Sequence, residues 1–530
     1  MLIHAQHINY HASGRMLFKD INFSLQKGER AAIAGNNGAG KSTLLRIVAG
    51  QVKDYHGALQ VNGSLHYVPQ HYGHFNHLTV AAALGIAPLL EALKALENGA
   101  TDQRYYDLLE NRWDFAARCE SAFAHWGISG ISLDQPLQQL SGGMKTRLFL
   151  AGIDLYEPAI VLLDEPTNHL DTQARNQLYQ WMETTSCALL LTSHDRQLLR
   201  LCAPIWELQS DGIKVYGGSY DFYAEQKEME MVAKEQQLAH HDKTLKEAKL
   251  KQQQSLERKQ RSDAQARRKS LHSGDPKGMI NAMRTKAEGS TGRLKHVHNS
   301  KVDELRTNLQ EAAALVQVQR IMKGYFDKPM LPAGKVMIQA TGINYAWVDG
   351  SPLWNEPLTL TIRSGERLSI AGNNGSGKTT LFNLLQGNLT PTQGSIQRSS
   401  FSTLLLDQDY SLIDRDKTVL QQAMAFNETK LEEPLLHTLL ANFLFLPDSW
   451  EKPCGVLSGG EMLRLALCCM VLQNKAPDMI FLDEPVNNLD LSNIQMLAKI
   501  FAGYRGTLVV ISHDVGFLKD AGISEQLLIS

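Results

Sequence analysis

Short, unbroken apolar runs recur along the chain and are bounded by charged or turn-forming residues. They include RAAIA at Arg30–Ala34, IVLLD at Ile160–Asp164, RLSIA at Arg367–Ala371, MIFLD at Met479–Asp483 and the run Leu508–Ile511. Runs of this length without polar alternation predict strands buried on both faces, as in a parallel sheet. Two other stretches have a different pattern. Thr79–Trp126 is rich in Ala, Leu and Glu and predicts helix. From Asp221 to Gln319 the chain is dominated by Lys, Arg, Glu, Gln and Ala, a long-helix composition. There SGDPKG at Ser273–Gly278 is expected to end a first helix and turn the chain back, and EGSTGR at Glu288–Arg293 to bend the return path. A first helix of about 50 residues would span about 75 Å. A second helical stretch is expected over Ser300–Met322. No apolar run reaches the roughly 18 residues a membrane-spanning helix requires.

The strand-forming regions come in two copies. GNNGAGKSTL at Gly35–Leu44 returns as GNNGSGKTTL at Gly372–Leu381, and LSGG at Leu140–Gly143 returns at Leu457–Gly460. LLDEP at Leu162–Pro166 returns as FLDEP at Phe481–Pro485, and SHD at Ser193–Asp195 returns at Ser512–Asp514. The order is the same in both copies. Gln70 lies 71 residues before Ser141, whereas Gln408 lies 50 before Ser458, so the first copy carries about 21 extra residues, within the helical stretch 79–126. The predicted fold class is therefore α/β: two phosphate-loop domains, 1–221 and 332–530, joined by a helical hairpin over 222–331 with its tip at about 265–295.

Composition narrows the picture further. The N-terminus lacks the basic segment and apolar core of a secretory signal, which with the missing membrane run predicts a cytoplasmic protein. Six cysteines, none in a CxxC pair and two adjacent at Cys468 and Cys469, suit buried small hydrophobes better than zinc ligands. The chain's net charge is −2, yet Arg258–Lys295 holds eleven Lys or Arg and three Asp or Glu, a net of +8. So concentrated a basic segment suits phosphate backbones, with Arg267, Arg268, Lys269, Lys277, Arg284, Lys286, Arg293 and Lys295 as candidate RNA contacts. It contains no Phe, Tyr or Trp, so recognition is expected through backbone and shape rather than base stacking. The competing reading is a solvated helical spacer.

The glycine-rich loops fit GxxxxGK[ST] and follow strand-like runs, the context in which backbone N–H groups cradle phosphates at a helix N-terminus. Gly35, Asn36, Asn37, Gly38, Ala39, Gly40, Lys41, Ser42 and Thr43 form one candidate ATP-binding loop. Gly372, Asn373, Asn374, Gly375, Ser376, Gly377, Lys378, Thr379 and Thr380 form the other. Lys41 and Lys378 are expected to reach the β- and γ-phosphates, and the hydroxyls of Ser42 and Thr379 to hold Mg²⁺. Asp164 and Asp483, at the carboxyl ends of buried strands, are candidate Mg²⁺ organisers, and Glu165 and Glu484 are placed to polarise the attacking water. His194 and His513 are expected to contact the γ-phosphate, and Gln70 and Gln408 to sense the metal and the water. Tyr10 and Tyr345, each in an INY ahead of its loop, are candidates to stack on adenine, with a half-buried strand tyrosine as the alternative.

LSGG together with the phosphate loop and the LLDEP block resembles the ATP-binding cassette superfamily over nearly all of both repeats. The resemblance implies head-to-tail pairing of two cassettes, a monomer with an intramolecular pair. ATP on Lys41, Ser42, Gln70, Asp164, Glu165 and His194 would be capped by Ser458, Gly459, Gly460 and Glu461. ATP on Lys378, Thr379, Gln408, Asp483, Glu484 and His513 would be capped by Ser141, Gly142, Gly143 and Met144. Two fused cassettes, EPTNHLD at Glu165–Asp171 and a basic helical linker resemble, more narrowly, the ABC-F family. That resemblance implies Mg²⁺-dependent ATP hydrolysis and a ribosome partner, with the linker approaching ribosomal RNA and tRNA near the exit site. It implies a translation factor or an antibiotic-resistance factor that protects ribosomes, and assigns the insertion at 79–126 to a short arm. The second cassette departs from the first with Val486 and Asn488 in place of Thr167 and His169, and Met144 stands where Gln or Glu commonly follows LSGG. Both departures put equal turnover at the two sites in question. Two other classes compete: the ATPase subunit of a membrane transporter and a DNA-associated cassette ATPase.

Overall fold

The structure, a computed structural model, describes residues 1–12, 15–109, 112–230, 232–233, 318, 321–326, 331–347, 350–373, 375–473, 475–487 and 489–529. The chain divides into two compact units. Met1–Tyr223, Met322–Leu431 and Asp448–Ser530 form one, and Ala224–Ile321 with Glu432–Pro447 form the other. In the second unit the described residues 224–230 and 232–233 are helical, as is Glu433–Asn442. The linker tip at 265–295, with all eight candidate RNA contacts and both predicted helix breaks, lies outside the described residues.

Within the first unit each sequence repeat builds the same pair of sheets. In the first copy β1 (Ile3–Ala12), β2 (Arg15–Leu25) and β4 (His56–Val61) form an antiparallel sheet ordered β2-β1-β4. The strands β3 (Arg30–Ala34), β5 (Leu65–Val68), β6 (Ile160–Asp164), β7 (Ala188–Thr192), β8 (Ile205–Gln209) and β9 (Gly212–Tyr216) form a sheet ordered β5-β6-β7-β3-β8-β9. It is parallel except for β9, which pairs antiparallel with β8. In the second copy β10 (Val336–Asn344), β11 (Leu358–Arg363) and β13 (Gln393–Arg398) repeat the small sheet. The strands β12 (Arg367–Ala371), β14 (Thr403–Leu406), β15 (Met479–Asp483), β16 (Thr507–Ile511) and β17 (Glu525–Leu528) form a parallel sheet ordered β14-β15-β16-β12-β17.

The unbroken apolar runs are the central strands, as predicted. Every residue of β6, β7 and β16 is buried, because helices and the small antiparallel sheet cover both faces. Ile3, Ile8, Phe18 and Ile21 of the small sheet pack with Leu44 and Leu45 of the phosphate-loop helix and with Ile160, Leu162 and Leu190 of the large one. In the second copy Ile338, Ile343 and Ile362 pack with Leu381 and Leu385 and with Met479, Phe481 and Val509. The phosphate-loop helix is thus pinned by core packing at its buried face, and its N-terminus is fixed at the ends of β3 or β12.

The insertion at 79–126 is helical, in four pieces: Val80–Ala83, Ala87–Glu97, Gln103–Leu109 and Phe115–His125. Thr79 caps the first piece by accepting from the Ala82 N–H at 3.2 Å. Gly85 and Gly99, both with positive φ, fall in the breaks between pieces. All six cysteines are free, and all but the half-buried Cys187 are buried. Among the described residues no helix is long and apolar enough to cross a membrane.

Candidate functional site

In both copies the parallel strand ends at the glycine-rich loop and the following helix begins at the loop's lysine. The helices are Lys41–Val48 and Lys378–Gln386. Gly40 has φ +97°, and a Cβ there would meet Leu17 and Phe18 side chains at under 3 Å, so the close approach of the loop to β2 needs glycine. Lys41 Nζ donates to the carbonyls of Gly35 at 2.7 Å and Asn36 at 3.2 Å. Lys378 repeats this with Gly372 at 2.8 Å and Asn373 at 3.0 Å. Each ammonium is therefore already held at the mouth of its loop. Burial lowers the pKa of both lysines, opposed at Lys41 by Glu165, Asp490 and Asp164, and at Lys378 by Glu484, Asp483 and Asp171. Asn374 lies outside the described residues.

The carboxylates arrive at the ends of β6 and β15. Asp164 accepts from Thr192 Oγ1 at 2.7 Å, Ser42 Oγ at 2.9 Å and Tyr67 OH at 3.2 Å. Asp483 is hydrogen-bonded by Thr379. Burial raises Asp164, and the hydroxyl donors offset part of that rise. Burial, then the charge of Asp407, pushes Asp483 up to about 6. The difference is written in sequence: Ile511 stands where β7 has Thr192, and Leu405 where β5 has Tyr67. Neither Thr192 nor Tyr67 was singled out from sequence. The signal lay in polar residues within otherwise apolar strands, one position before SHD in the case of Thr192.

Glu165 and Glu484 follow with φ of +49° and +47°, a backbone region costly for any residue with a Cβ. Their N–H groups are tied to the neighbouring strand, Glu165 to Thr192 O at 3.0 Å and Glu484 to Ile511 O at 2.8 Å. That geometry aims each carboxylate at a histidine. His194 Nε2 lies 3.2 Å from Glu165 Oε1, and His513 Nε2 lies 3.4 Å from Glu484 Oε1. Burial pushes both glutamates up to about 7, against the attraction of Lys41 at one and of Arg175 and Lys378 at the other. Burial lowers both histidines, His513 to about 4, which keeps them neutral near pH 7.

Leu17, Asn37, Gly38, Gly40, Lys41, Ser42, Thr43, Gln70, His71, Glu165, Asn168 and His194 line a cavity of about 540 Å³ at the first loop. The structure thus brings the first-copy phosphate-loop, glutamine, glutamate and histidine candidates together. Gln408, by contrast, is exposed beyond β14. Tyr10 packs against Phe18, ring centroids 6.0 Å apart, and Tyr345 against Trp347 at 5.1 Å; Tyr10 is not on the cavity wall.

Ser141 and Ser458 cap the helices Gly142–Tyr156 and Gly459–Leu472. Ser458 receives the Glu461 N–H at 3.4 Å, and the Glu461 carboxylate receives the Ser458 N–H at 2.8 Å, completing a capping box. At the first copy Ser141 receives the Met144 N–H at 3.3 Å, and the thioether of Met144 cannot return the bond through a carboxylate. A Cβ on Gly460 would lie 2.5 Å from Asn493 Nδ2, so a side chain at this helix start would have to displace the buried Asn493.

The two copies meet across these sites. The Asn37 N–H donates to Asp490 Oδ2 at 3.3 Å, Thr172 Oγ1 lies 3.1 Å from His513 Nδ1, and Arg196 Nη1 lies 2.5 Å from Asp520 Oδ2. A cavity of about 820 Å³ is lined by Glu165 and His194 of one copy and by Glu484 and His513 of the other. Asp490, which caps the helix Leu491–Ala502, therefore reaches the first loop from the opposite copy. The capping serines and glycines Ser458, Gly459 and Gly460 do not line the first cavity.

The donors beside the loops fit a magnesium ion. Ser42, Asp164 and Gln70 at one loop, and Thr379 and Asp483 at the other, offer hard oxygens in small number, the arrangement an ion prefers when phosphates and water complete its shell. Among the described residues no group of three His, Cys, Asp or Glu forms a self-sufficient metal cage.

A lysine held by the carbonyls of its own glycine-rich loop, a strand-end Asp–Glu pair and a facing histidine, all present twice, define a tandem ATP-binding cassette ATPase. The family model described as ABC transporter matches residues 18–168 and 356–487. ATP-binding protein Uup of Haemophilus influenzae is 29% identical over 93% of this chain and 73% of its own length. Ribosome protection protein VmlR of Bacillus subtilis is 27% identical over 98% of this chain and 85% of its own. ABC transporter F family member 2 of Arabidopsis thaliana is 28% identical over 98% and 75%. The solved complex of archaeal ribosomal stalk protein aP1 with archaeal ribosome recycling factor aABCE1 shares the fold, with TM-score 0.58 and 17% identity over 99% of this chain and 87% of that one. The chain belongs to the ABC-F family of the ATP-binding cassette superfamily.

The raised glutamates set a pH dependence. A carboxyl with a pKa near 7 is protonated below it and cannot polarise water, while the depressed histidines stay neutral down to about pH 5. The kcat/KM for ATP, which reports groups of the free enzyme, is expected to rise with pH through about 7 and level off above about 8, with no descending limb from histidine. A steady-state profile from pH 5.5 to 8.5 checks this; a flat profile would contradict it.

Proposed function

We propose that this ATPase uses ATP to close its two cassettes on one another, that the closed state binds the ribosome, and that hydrolysis ends the engagement. The observation that carries the reading is the shared cavity on which Glu165–His194 and Glu484–His513 both open. Nucleotide held at either loop adds charge and contacts between the copies, so the closed pairing gains stability only while ATP is present.

Each part has a stated task. Lys41 and Lys378 hold the terminal phosphates, and the loop N–H groups cradle the rest. Ser42, Asp164 and Gln70, and likewise Thr379 and Asp483, would hold Mg²⁺, which when bound offsets phosphate charge. Glu165 and Glu484 orient and polarise water, and His194 and His513 set the carboxylate and face the γ-phosphate. Ser141, Gly142 and Gly143, and Ser458, Gly459, Gly460 and Glu461, cap ATP from the opposite copy as the gap closes, using the N-termini of their helices.

The ribosome as partner draws on the relationship to VmlR, whose name describes ribosome protection and whose alignment runs through the segment between the cassettes. The net +8 of Arg258–Lys295 gives that segment the charge to meet ribosomal RNA or tRNA near the exit site. The protein then works in the cytoplasm as a translation factor or ribosome-protection factor, with domains 1–221, 222–331 and 332–530. The test is co-sedimentation with ribosomes. With ATP, the Glu165→Gln, Glu484→Gln double variant is expected to pellet with ribosomes at near-unit stoichiometry, and with ADP to stay in the supernatant. Equal pelleting in both nucleotides, or in neither, would sink the reading.

A further inference from the structure

The two Glu–His pairs share one cavity but are not held alike. His513 Nδ1 lies 3.1 Å from the Thr172 hydroxyl, and Thr172 belongs to the other copy, at the first turn of the helix Thr172–Thr184. At the first site, His194 Nδ1 is buried with no hydrogen-bond partner among the described residues. The sequence supplies the reason. Counting from the aspartate that ends each motif, Thr172 follows Asp171 as Leu491 follows Asp490. Leucine offers nothing to an imidazole nitrogen. Three residues on, the same register places Arg175 opposite Ile494, and Arg175 lines the shared cavity with Glu484 and His513.

A bond at one ring nitrogen fixes which tautomer the ring adopts and how it is turned, and hence what the other nitrogen offers. Thr172 holds Nδ1 of His513, while Nε2 faces Glu484 at 3.4 Å. The first-copy helix that carries Thr172 is itself anchored: Asp171 caps it through the Ala174 N–H at 2.9 Å and is gripped by Arg147 at 2.8 Å.

We propose that Thr172 is a positioning residue acting across the pair, orienting His513 for hydrolysis at the second ATP site, and that the first site has no equivalent. Turnover at the second site is thereby tied to correct seating of the first copy's helix. The proposal rests on Glu484 and His513 serving ATP hydrolysis, and the test separates the two ideas.

Hydrolysis is measured in full-length protein with one site silenced. In Glu165→Gln, residual turnover reports the second site, and its loss on adding Glu484→Gln checks the assignment of Glu484 on its own. In this background Thr172→Val is expected to lower kcat about three- to tenfold with KM for ATP unchanged, the effect of one hydrogen bond felt in the transition state. Thr172→Ser, which keeps the hydroxyl, should restore kcat to within about twofold. In Glu484→Gln, where only the first site turns over, Thr172→Val should change kcat by less than about twofold. A turnover-independent reading comes from ring-nitrogen NMR shifts of histidine-labelled full chain: Thr172→Val should move the His513 resonances and leave those of His194. Equal loss in both backgrounds, no rescue by serine, or unmoved His513 resonances would overturn the proposal.

Discussion

Replacing both Glu165 and Glu484 with glutamine should reduce ATP turnover at least a hundredfold while leaving nucleotide affinity within a few-fold of the parent. Glutamine keeps the size and part of the hydrogen bonding of the carboxylate but cannot take a proton or carry charge. The backbone strain at φ +49° and +47° is held by the strand bonds to Thr192 and Ile511 rather than by the side chains, so both loops should keep their shape. The lysine–carbonyl bonds at each loop involve neither glutamate, so ATP binding should survive. Multiple-turnover kinetics together with filter-retained ATP after rapid desalting check both halves of the expectation. The same variant should be at least as heat-stable as the parent at pH 8. There the parent must ionise two buried carboxyls whose pKa has risen from 4.5 to about 7 on folding. That disadvantage is complete above about pH 7 and disappears below about 4.5, so the difference in Tm should shrink on acidification.

The second large effect is expected in the linker. Changing Arg267, Arg268, Lys269, Lys277, Arg284, Lys286, Arg293 and Lys295 to glutamine removes the positive charge that sets this segment apart from a chain of net −2. If these groups meet RNA phosphates, ribosome affinity should fall by about two to three orders of magnitude at moderate salt, and the slope of log affinity against log salt should flatten. ATP turnover without ribosomes should be unchanged, because every side chain bordering the shared cavity lies outside the substituted segment. Ribosome binding measured between 50 and 200 mM salt is the check. A variant that binds with the parent's salt slope would assign the charges to solvation instead.

Much of this molecule could be read from short stretches of sequence. Buried parallel strands announce themselves as unbroken apolar runs, and a phosphate loop is local in sequence, so β3, β6, β12 and β15 and the residues at their ends fell where the pattern placed them. The small antiparallel sheets were harder to see. The register shifts repeatedly between β1 and β2, so no clean alternation marks them. Pairing of the copies followed from the resemblance, but the particular hydrogen bonds between them were not legible. Thr172 and His513 are separated by 341 positions, and Asn37 and Asp490 by 453, and nothing local to either residue names the other. The same holds for Thr192 and Tyr67, whose importance comes from converging on Asp164 out of two different strands. The departures at Met144 and Val486 did point to unequal copies. The structure adds a different inequality in the hydrogen bonds around Asp164 and His513, which requires aligned strands and helices to be seen.

In the proposed closed state, ATP on one loop is completed by the signature helix of the other copy. Trapping the chain with Mg²⁺, ATP and orthovanadate, followed by ultraviolet cleavage, reports which backbone lies beside the γ-phosphate position. Cuts are expected both within the loops Gly35–Ser42 and Gly372–Thr379 and at the signature segments Ser141–Gly143 and Ser458–Glu461, with Lys41→Ala removing the cut at Ser458–Glu461 and sparing the one at Ser141–Gly143. Cleavage confined to the two loops would contradict it.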